Sequence, residues 1–132
     1  MTLPSRRRRA LPRPTNGEVS ILRVLWQRGP STVRQVQEVL GPQIGYTTAL
    51  KFMQIMTEKG LLKRDVAERT HVYEAALPEE TTQRQLLSDL VDRVFQGSAA
   101  RLVMQALSTQ RASPAELAEI RRLLDKMEGG KP

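Results

Sequence analysis

Apolar residues recur at helical spacing between residues 46 and 59 of the chain. The apolar positions of this stretch lie at intervals of three and four: Ala49, Phe52, Met53 and Met56. Such spacing places them on one side of a helix, where they are expected to face a core. Gly60 follows at the position where a helix C-terminus is expected. The pattern therefore predicts a helix over residues 46–59.

Two further helices are predicted before this one. The first can be capped by Thr15 or Asn16, carries Trp26 as a predicted core residue, and ends at a Gly-Pro pair. Ser31 is expected to cap the second helix, which covers residues 32–40 and has valines at helical spacing. Three short helices with tight connections are therefore expected at the start of the folded region.

A β-hairpin is predicted directly after the third helix. Strand-forming residues flank a charged turn at 65–70: Leu61, Leu62, Val66, Val72 and Tyr73. A helix that runs into a hairpin is the layout of a winged helix-turn-helix, in which the helix enters the major groove and the hairpin lies along the DNA backbone. The predicted fold class is mainly α with a small β-hairpin wing.

The C-terminal part contains three more predicted amphipathic helices, at 79–95, at 99–107 and from Ser113-Pro114 onward. The apolar stripe of the first of these is too wide for a helix that stands alone in water. We interpret the region as a three-helix homodimerisation region, and an intrachain cap on the wing domain is the alternative. The predicted dimerisation residues are Leu86, Leu87, Leu90, Val91, Val94, Leu102, Val103, Leu117, Ile120 and Leu124.

These elements predict four segments along the chain. Residues 1–14 form a disordered basic arm, 15–77 a winged-helix DNA-binding domain, 78–128 a helical dimerisation domain and 129–132 a flexible tail. The arm is rich in arginine and interrupted by proline, so it offers no helical period. Two interpretations of the arm stay open, a contact with DNA phosphates and a solvated tail without a role.

The charge of the chain changes this picture because it is divided unevenly. Residues 1–77 contain 13 Lys/Arg and 6 Asp/Glu, whereas residues 78–132 contain 8 of each, so the whole net charge of +7 lies in the first part. Such asymmetry is typical of proteins that bind nucleic acids or membrane surfaces. The sequence lacks a basic amphipathic helix with an aromatic stripe, which favours double-stranded DNA as the partner.

Composition argues against an enzyme. The chain has no cysteine and one histidine, and it has no Gly-rich phosphate loop. These absences predict no metal site, no cofactor and no small-molecule substrate. No apolar run reaches the roughly 18 residues of a membrane span, and a cytoplasmic protein is expected. A winged-helix adaptor that binds a protein partner through its C-terminal helices is the alternative to a DNA-binding regulator.

The exposed side of the third helix supplies most of the predicted DNA-binding residues: Tyr46, Thr47, Thr48, Leu50, Lys51 and Gln54. Amides at the helix N-terminus favour a phosphate, and the threonines can cap the helix or read bases. Lys51 can reach guanine or a phosphate, and Gln54 can read adenine. Leu50 is either a contact to a thymine methyl group or an exposed flank of the apolar side.

Basic residues outside this helix complete the predicted interface. Arg34 lies near the start of the second helix, which crosses the phosphates in helix-turn-helix docking. Lys63, Arg64 and Arg69 lie in or beside the wing, and Arg69 at the expected tip is the best candidate for a phosphate or minor-groove contact. His71 is interpreted as structural and not as a pH sensor.

Five segments of the chain, in this order, resemble the bacterial penicillinase-repressor family of BlaI/MecI-type regulators. They are GEVSILRVLWQRGPSTVRQVQEVL, YTTALKFMQIMTEKGLLKR, THVYEAAL, LLSDLVDRVFQGSAARLV and SPAELAEIRRLLDKME. The resemblance implies a winged-helix homodimer that sits on inverted-repeat operators and blocks transcription. It also implies induction by cleavage of the dimerisation region, after a membrane sensor with a metalloprotease domain detects a β-lactam.

Two departures from the family pattern limit what the resemblance implies. Staphylococcal members carry an Asn-Phe scissile bond in the helix corresponding to 99–107, and Gln105-Ala106 stands there in this chain. A shifted cleavage site or a different sensor protease is therefore expected. The copper-responsive branch of the family uses C-terminal cysteines, which this chain lacks.

Overall fold

The computed structural model describes residues 11–66 and 69–129. Most of the predicted arm and of the predicted tail thus lie outside the described residues. The chain divides into two compact units, one ending at Leu87 and the other beginning at Ser88. The structure confirms the predicted fold class, since the described residues form six α-helices and one two-stranded hairpin.

Three helices open the first unit: α1 over Asn16–Arg28, α2 over Val33–Leu40 and α3 over Tyr46–Lys59. A single 3-10 turn, Gly41–Gln43, connects the second helix to the third. Gly60 ends α3 in the left-handed conformation, with φ at 88°, which a residue without a Cβ adopts at low cost. The predicted bounds of α3 and its glycine stop are therefore confirmed.

The caps of the first two helices are hydroxyl residues, as expected, but one prediction is wrong by a residue. Thr15 caps α1, and its side chain exchanges hydrogen bonds with Glu18 in a capping box. Thr32, and not Ser31, caps α2 in the same way with Gln35. Ser31 is unsuited to capping because its hydroxyl donates to the Gly29 carbonyl at 2.8 Å and its backbone pairs with the hairpin.

The hairpin consists of β1, Leu62–Asp65, and β2, Val72–Ala75, paired antiparallel with Arg64 opposite Tyr73. Tyr73 also exchanges backbone hydrogen bonds with Ser31, at 2.8 and 2.9 Å, so β2 is tied to the chain entering α2. Val66, predicted as a strand-forming residue, lies outside both strands and is 54% exposed. The hairpin is therefore fixed at its base.

The core of the first unit lies between the three helices and the hairpin. It consists of twelve buried apolar residues: Ile21, Leu22, Val24, Leu25, Val33, Val36, Ala49, Met53, Met56, Leu61, Leu62 and Tyr73. Phe52 and Trp26, both predicted to face the core, are only partly buried against it. The indole N–H of Trp26 donates to the Leu77 carbonyl at 3.2 Å, and this need for a polar partner keeps the ring at the core edge.

An ion pair joins the start of α1 to the end of α3. The Lys59 ammonium lies 2.7 Å from the Glu18 carboxylate, whose side chain is 6% exposed. Burial raises the pKa of Glu18, but the hydrogen bonds from Lys59 and Thr15 outweigh that effect and lower it below its ordinary value. The charged carboxylate thus anchors α3 at the end away from its first turn.

The remaining helices are α4 over Glu79–Val94, α5 over Ala99–Thr109 and α6 over Pro114–Gly129. Ser98 caps α5, and Ser113 exchanges hydrogen bonds with Glu116 at the start of α6. Helix α5 runs two residues beyond its predicted end, because no helix-breaking residue precedes the cap at Gln110. Within the described part of these helices, Thr82 of α4 is the only buried side chain.

The boundary between the two compact units falls inside α4, at 87/88. Compactness within one chain does not say which residues contact a second copy, so the division into domains at 77/78 remains a prediction. No helix in the described parts of the chain is long and apolar enough to cross a membrane.

Candidate nucleic-acid interface

The first turns of α3 present polar side chains to solvent. Tyr46, Thr47, Thr48, Lys51 and Gln54 are all exposed, while Ala49 and Met53 on the opposite side are buried. The 3.6-residue period of the helix separates these two faces. No carboxylate occurs in α3 before Glu58. This face combines hydroxyls, an amide and a lysine with the positive end of the helix, an arrangement suited to a polyanion.

An open groove of about 550 Å³ lies between the start of α2, the start of α3 and the wing. Its lining residues are Thr32, Val33, Arg34, Tyr46, Leu50, Arg69, Thr70, His71 and Tyr73. Among the described lining residues, two are arginines from different elements and none is Asp or Glu. The groove thus offers cations and hydroxyls around an apolar floor.

Arg34 and Tyr46 form a cation–π pair at the rim of the groove. The guanidinium carbon of Arg34 lies 5.4 Å from the centroid of the Tyr46 ring, within the range of a cation–π interaction. Tyr46 is the first residue of α3 and is 44% exposed. The pair therefore links the first turns of two helices at a solvent-accessible position.

Leu50 lies one turn further along α3. Its side chain is partly buried, packs against the core cluster and also lines the groove. Both interpretations of Leu50 thus rest on observed features, since it flanks the core and still presents apolar surface. An apolar floor of this kind can contact a thymine methyl group but offers no hydrogen bond to a base.

The wing residues separate into two groups. Arg69, Thr70 and His71 line the groove, whereas Lys63 and Arg64 of β1 lie beside a second depression that also contains Asp65 and Glu74. The structure therefore brings Arg34, Tyr46, Leu50 and Arg69 together and leaves Lys63 and Arg64 apart.

Three polar groove residues are missing from the predicted interface: Thr32, Thr70 and His71. Thr32 caps α2 and lies two residues before Arg34, so both belong to the N-terminal end of this helix. The described residues contain no group of three His, Asp or Glu side chains able to hold a metal ion.

The predicted dimerisation residues lie on helices with little buried surface. Five of them are 43–57% exposed: Leu87, Leu90, Val94, Val103 and Leu124. The other five are partly buried: Leu86, Val91, Leu102, Leu117 and Ile120. Further exposed apolar side chains of these helices were not among the predicted dimerisation residues: Met104, Leu107, Leu123 and Met127. Burial of these side chains is what the predicted homodimer would supply.

The chain matches the penicillinase repressor family over residues 14–126. Nothing among curated proteins matches it. Among solved structures, it is similar to a MarR family protein from Bacillus stearothermophilus, with 19% identity, a TM-score of 0.48, and coverage of 89% of this chain and 74% of that chain. A transcriptional regulator from Thermotoga maritima is similar at 16% identity and a TM-score of 0.48, with coverage of 87% and 74%. Because the family match spans most of the chain, the protein belongs to the penicillinase repressor family and is a DNA-binding transcriptional regulator.

Proposed function

We propose that the protein is a homodimeric repressor that occupies inverted-repeat operators through α3 and the wing. The observation that carries the proposal is the exposed start of α3 beside a groove whose described lining residues include two arginines and no carboxylate. In winged-helix docking the third helix enters the major groove while neighbouring elements contact the backbone. The exposed face of α3 is suited to the major-groove contact, and the groove beside it is suited to the backbone contacts.

The interface residues divide between base reading and phosphate binding in this proposal. Thr48, Lys51 and Gln54 lie on the exposed face of α3 and read base edges by hydrogen bonds. Arg34 and Arg69 lie on opposite elements of the groove and bind backbone phosphates. Base contacts set the sequence preference, whereas phosphate contacts set the salt dependence.

The C-terminal helices support the homodimer. Their apolar side chains are mostly exposed within one chain, and burial of such surface against a second copy stabilises an isologous contact. A symmetric dimer presents two α3 helices to half-sites about one helical turn apart, which is the geometry of an inverted repeat.

The matched test of base reading uses two lysines. Lys51→Ala is expected to weaken operator binding by about 1–3 kcal/mol and to change the preferred bases. Lys126→Ala in α6 removes the same charge from the second unit and serves as the control, with an unchanged base preference. Affinities are measured by fluorescence anisotropy on an operator selected from random DNA and on its point variants.

Arg69→Ala tests the phosphate assignment of the wing. It is expected to weaken all DNA sequences alike and to lower the salt slope by about one for each half-site. A changed base preference in Arg69→Ala would contradict the assignment. Wild-type binding that is indifferent to both salt and sequence would favour the adaptor that binds a protein partner.

We further propose that repression is relieved by proteolysis within the dimerisation region. The Gln105-Ala106 bond lies inside α5, where the Thr109 hydroxyl donates to the Gln105 carbonyl at 2.9 Å and the Gln110 amide to the Ala106 carbonyl at 2.9 Å. A protease must unwind this turn before it can bind an extended substrate, so a connection such as 110–113 between α5 and α6 is the better substrate.

Cleavage there would remove α6, weaken the dimer and empty the operator by mass action. The sensor metalloprotease is part of this proposal. The intact mass of the protein, recovered from its host before and after exposure to a β-lactam, gives the cleavage site. Full-length protein together with derepressed targets would remove proteolysis from the mechanism.

A further inference from the structure

The Arg34–Tyr46 cation–π pair lies at the rim of the groove and outside the core. Both side chains are exposed, with Tyr46 at 44%. The pair has a cation-to-centroid distance of 5.4 Å. Neither residue belongs to the buried cluster that holds the first unit together. The interaction therefore orients two solvent-accessible groups and does not fill the interior.

A guanidinium held over an aromatic ring loses part of its rotamer freedom before any ligand arrives. An unrestrained arginine loses that freedom only when it binds, which weakens the complex. An aromatic ring is not a hydrogen-bond acceptor of the strength of a carboxylate or phosphate, so a guanidinium held by a ring keeps N–H donors for a phosphate.

Among the residues that the structure describes, no carboxylate forms an ion pair with this guanidinium. Glu38 lies one turn further along α2, but no ion pair joins it to Arg34 in the described structure. The other arginine that lines the groove is Arg69 of the wing. The Arg34 side chain is thus held in place by an aromatic ring and keeps its charge available for a ligand.

We infer that Tyr46 is a positioning residue, whose ring holds the guanidinium of Arg34 toward an operator backbone phosphate at the groove. The inference rests on the proposed function, and it adds a role for the first residue of α3 that is distinct from reading bases. The competing role is a direct contact from the Tyr46 hydroxyl to DNA.

The test combines four variants of the full-length protein: Tyr46→Phe, Tyr46→Leu, Arg34→Gln and the double variant Tyr46→Leu/Arg34→Gln. Each binds an operator selected by the wild-type protein, at several salt concentrations. Tyr46→Phe keeps the ring and should bind within about twofold of wild type. Tyr46→Leu should bind roughly twofold to fivefold more weakly for each half-site, which corresponds to the strength of an exposed cation–π pair.

The salt slope separates orientation from charge. Arg34→Gln removes a phosphate contact and should lower the slope by about one for each half-site, whereas Tyr46→Leu keeps the charge and should leave the slope unchanged. In the Arg34→Gln background, Tyr46→Leu should cause no further loss of affinity, because the group that the ring positions is gone.

Three results would overturn the inference. A loss of affinity in Tyr46→Phe equal to that of Tyr46→Leu would assign the effect to the hydroxyl. Additive losses in the double variant would show that the two residues act independently. A lowered melting temperature of free Tyr46→Leu, with affinity restored on cooling, would assign a structural role. Wild-type protein without preference for any operator would instead overturn the proposed function, and this inference with it.

Discussion

The two units of the chain differ in how many of their apolar side chains are buried. In the first unit, twelve apolar residues are buried around Met53 and Tyr73, with six more packed partly against them. In α5 and α6 no side chain is buried, although both helices carry leucines at helical spacing. The first unit therefore has the core of an independently stable domain, whereas the apolar side chains of α5 and α6 would be buried in the proposed homodimer.

Removing the second unit tests this difference most strongly. A chain ending at Leu87 keeps the Trp26–Leu77 and Gln85–Leu11 hydrogen bonds of the first unit. We expect it to stay folded and monomeric, and its affinity for an inverted repeat to fall by roughly 10²–10⁴, because the second half-site no longer adds to binding. Sedimentation and anisotropy measure the two effects.

Single half-sites provide the control for the truncation. On DNA with one half-site, the truncated and the full-length chain should bind with similar affinity. A truncated chain that remains a dimer in sedimentation would place dimerisation in the first unit and contradict the comparison.

Matched truncations of apolar side chains sharpen the comparison next. Met53→Ala removes a fully buried side chain and should lower the free energy of unfolding by about 2–5 kcal/mol at any protein concentration. Leu124→Ala removes a side chain that is 53% exposed in one chain. It should leave the stability of the monomer nearly unchanged and lower the melting temperature only where the dimer is populated.

Protein concentration is the variable that distinguishes these two outcomes. Melting curves are recorded by circular dichroism over a hundredfold range of concentration. A Leu124→Ala variant whose loss of stability is independent of concentration would show that α6 packs within its own chain.

Breaking one ion pair in each unit should have smaller effects on the free energy of unfolding. Glu18→Gln breaks the 2.7 Å pair with Lys59 and should cost about 1–3 kcal/mol, since the carboxylate is 6% exposed. Glu119→Gln breaks a 3.8 Å pair with Arg122 in which both side chains are more than two-thirds exposed. It should change the free energy of unfolding by less than about 0.5 kcal/mol.

The pH dependence of the Glu18 effect has a defined sign. Its pKa is lowered in the folded protein, so its contribution is fully present above the ordinary glutamate range, near 4.3, and disappears as the pH falls through the folded pKa. The stability difference between wild type and Glu18→Gln should therefore shrink on acidification in urea titrations. A difference that grows on acidification would mean a raised pKa.

Local signals in the sequence predicted most elements correctly. The bounds of α3 follow from its apolar period and from Gly60, and the structure has them at the predicted residues. The cap of α2 was predicted one residue early. Ser31 and Thr32 are both good capping residues, and the choice depends on the pairing of Ser31 with Tyr73, which is 42 positions distant in the sequence. Long-range pairing of this kind leaves no local signal.

The groove at the candidate interface also depends on contacts between residues that are distant in the sequence. Helical period predicts that Lys51 and Gln54 are exposed, as they are. The meeting of Arg34, Tyr46 and Arg69 around one groove depends on the crossing of α2 with α3 and on the position of the wing. The cation–π pair of Arg34 and Tyr46 likewise joins two helices, so charge and spacing along the chain do not reveal it.

The central claim is that one unit reads DNA and the other pairs two copies of the chain on an inverted repeat. The most direct measurement is the stoichiometry and affinity of the full-length protein on an inverted repeat selected from random DNA, at physiological salt. We predict two chains per inverted repeat and an affinity roughly 10³-fold or more above that for scrambled DNA of the same composition. A single chain per repeat, or equal affinity for the scrambled DNA, would contradict the account.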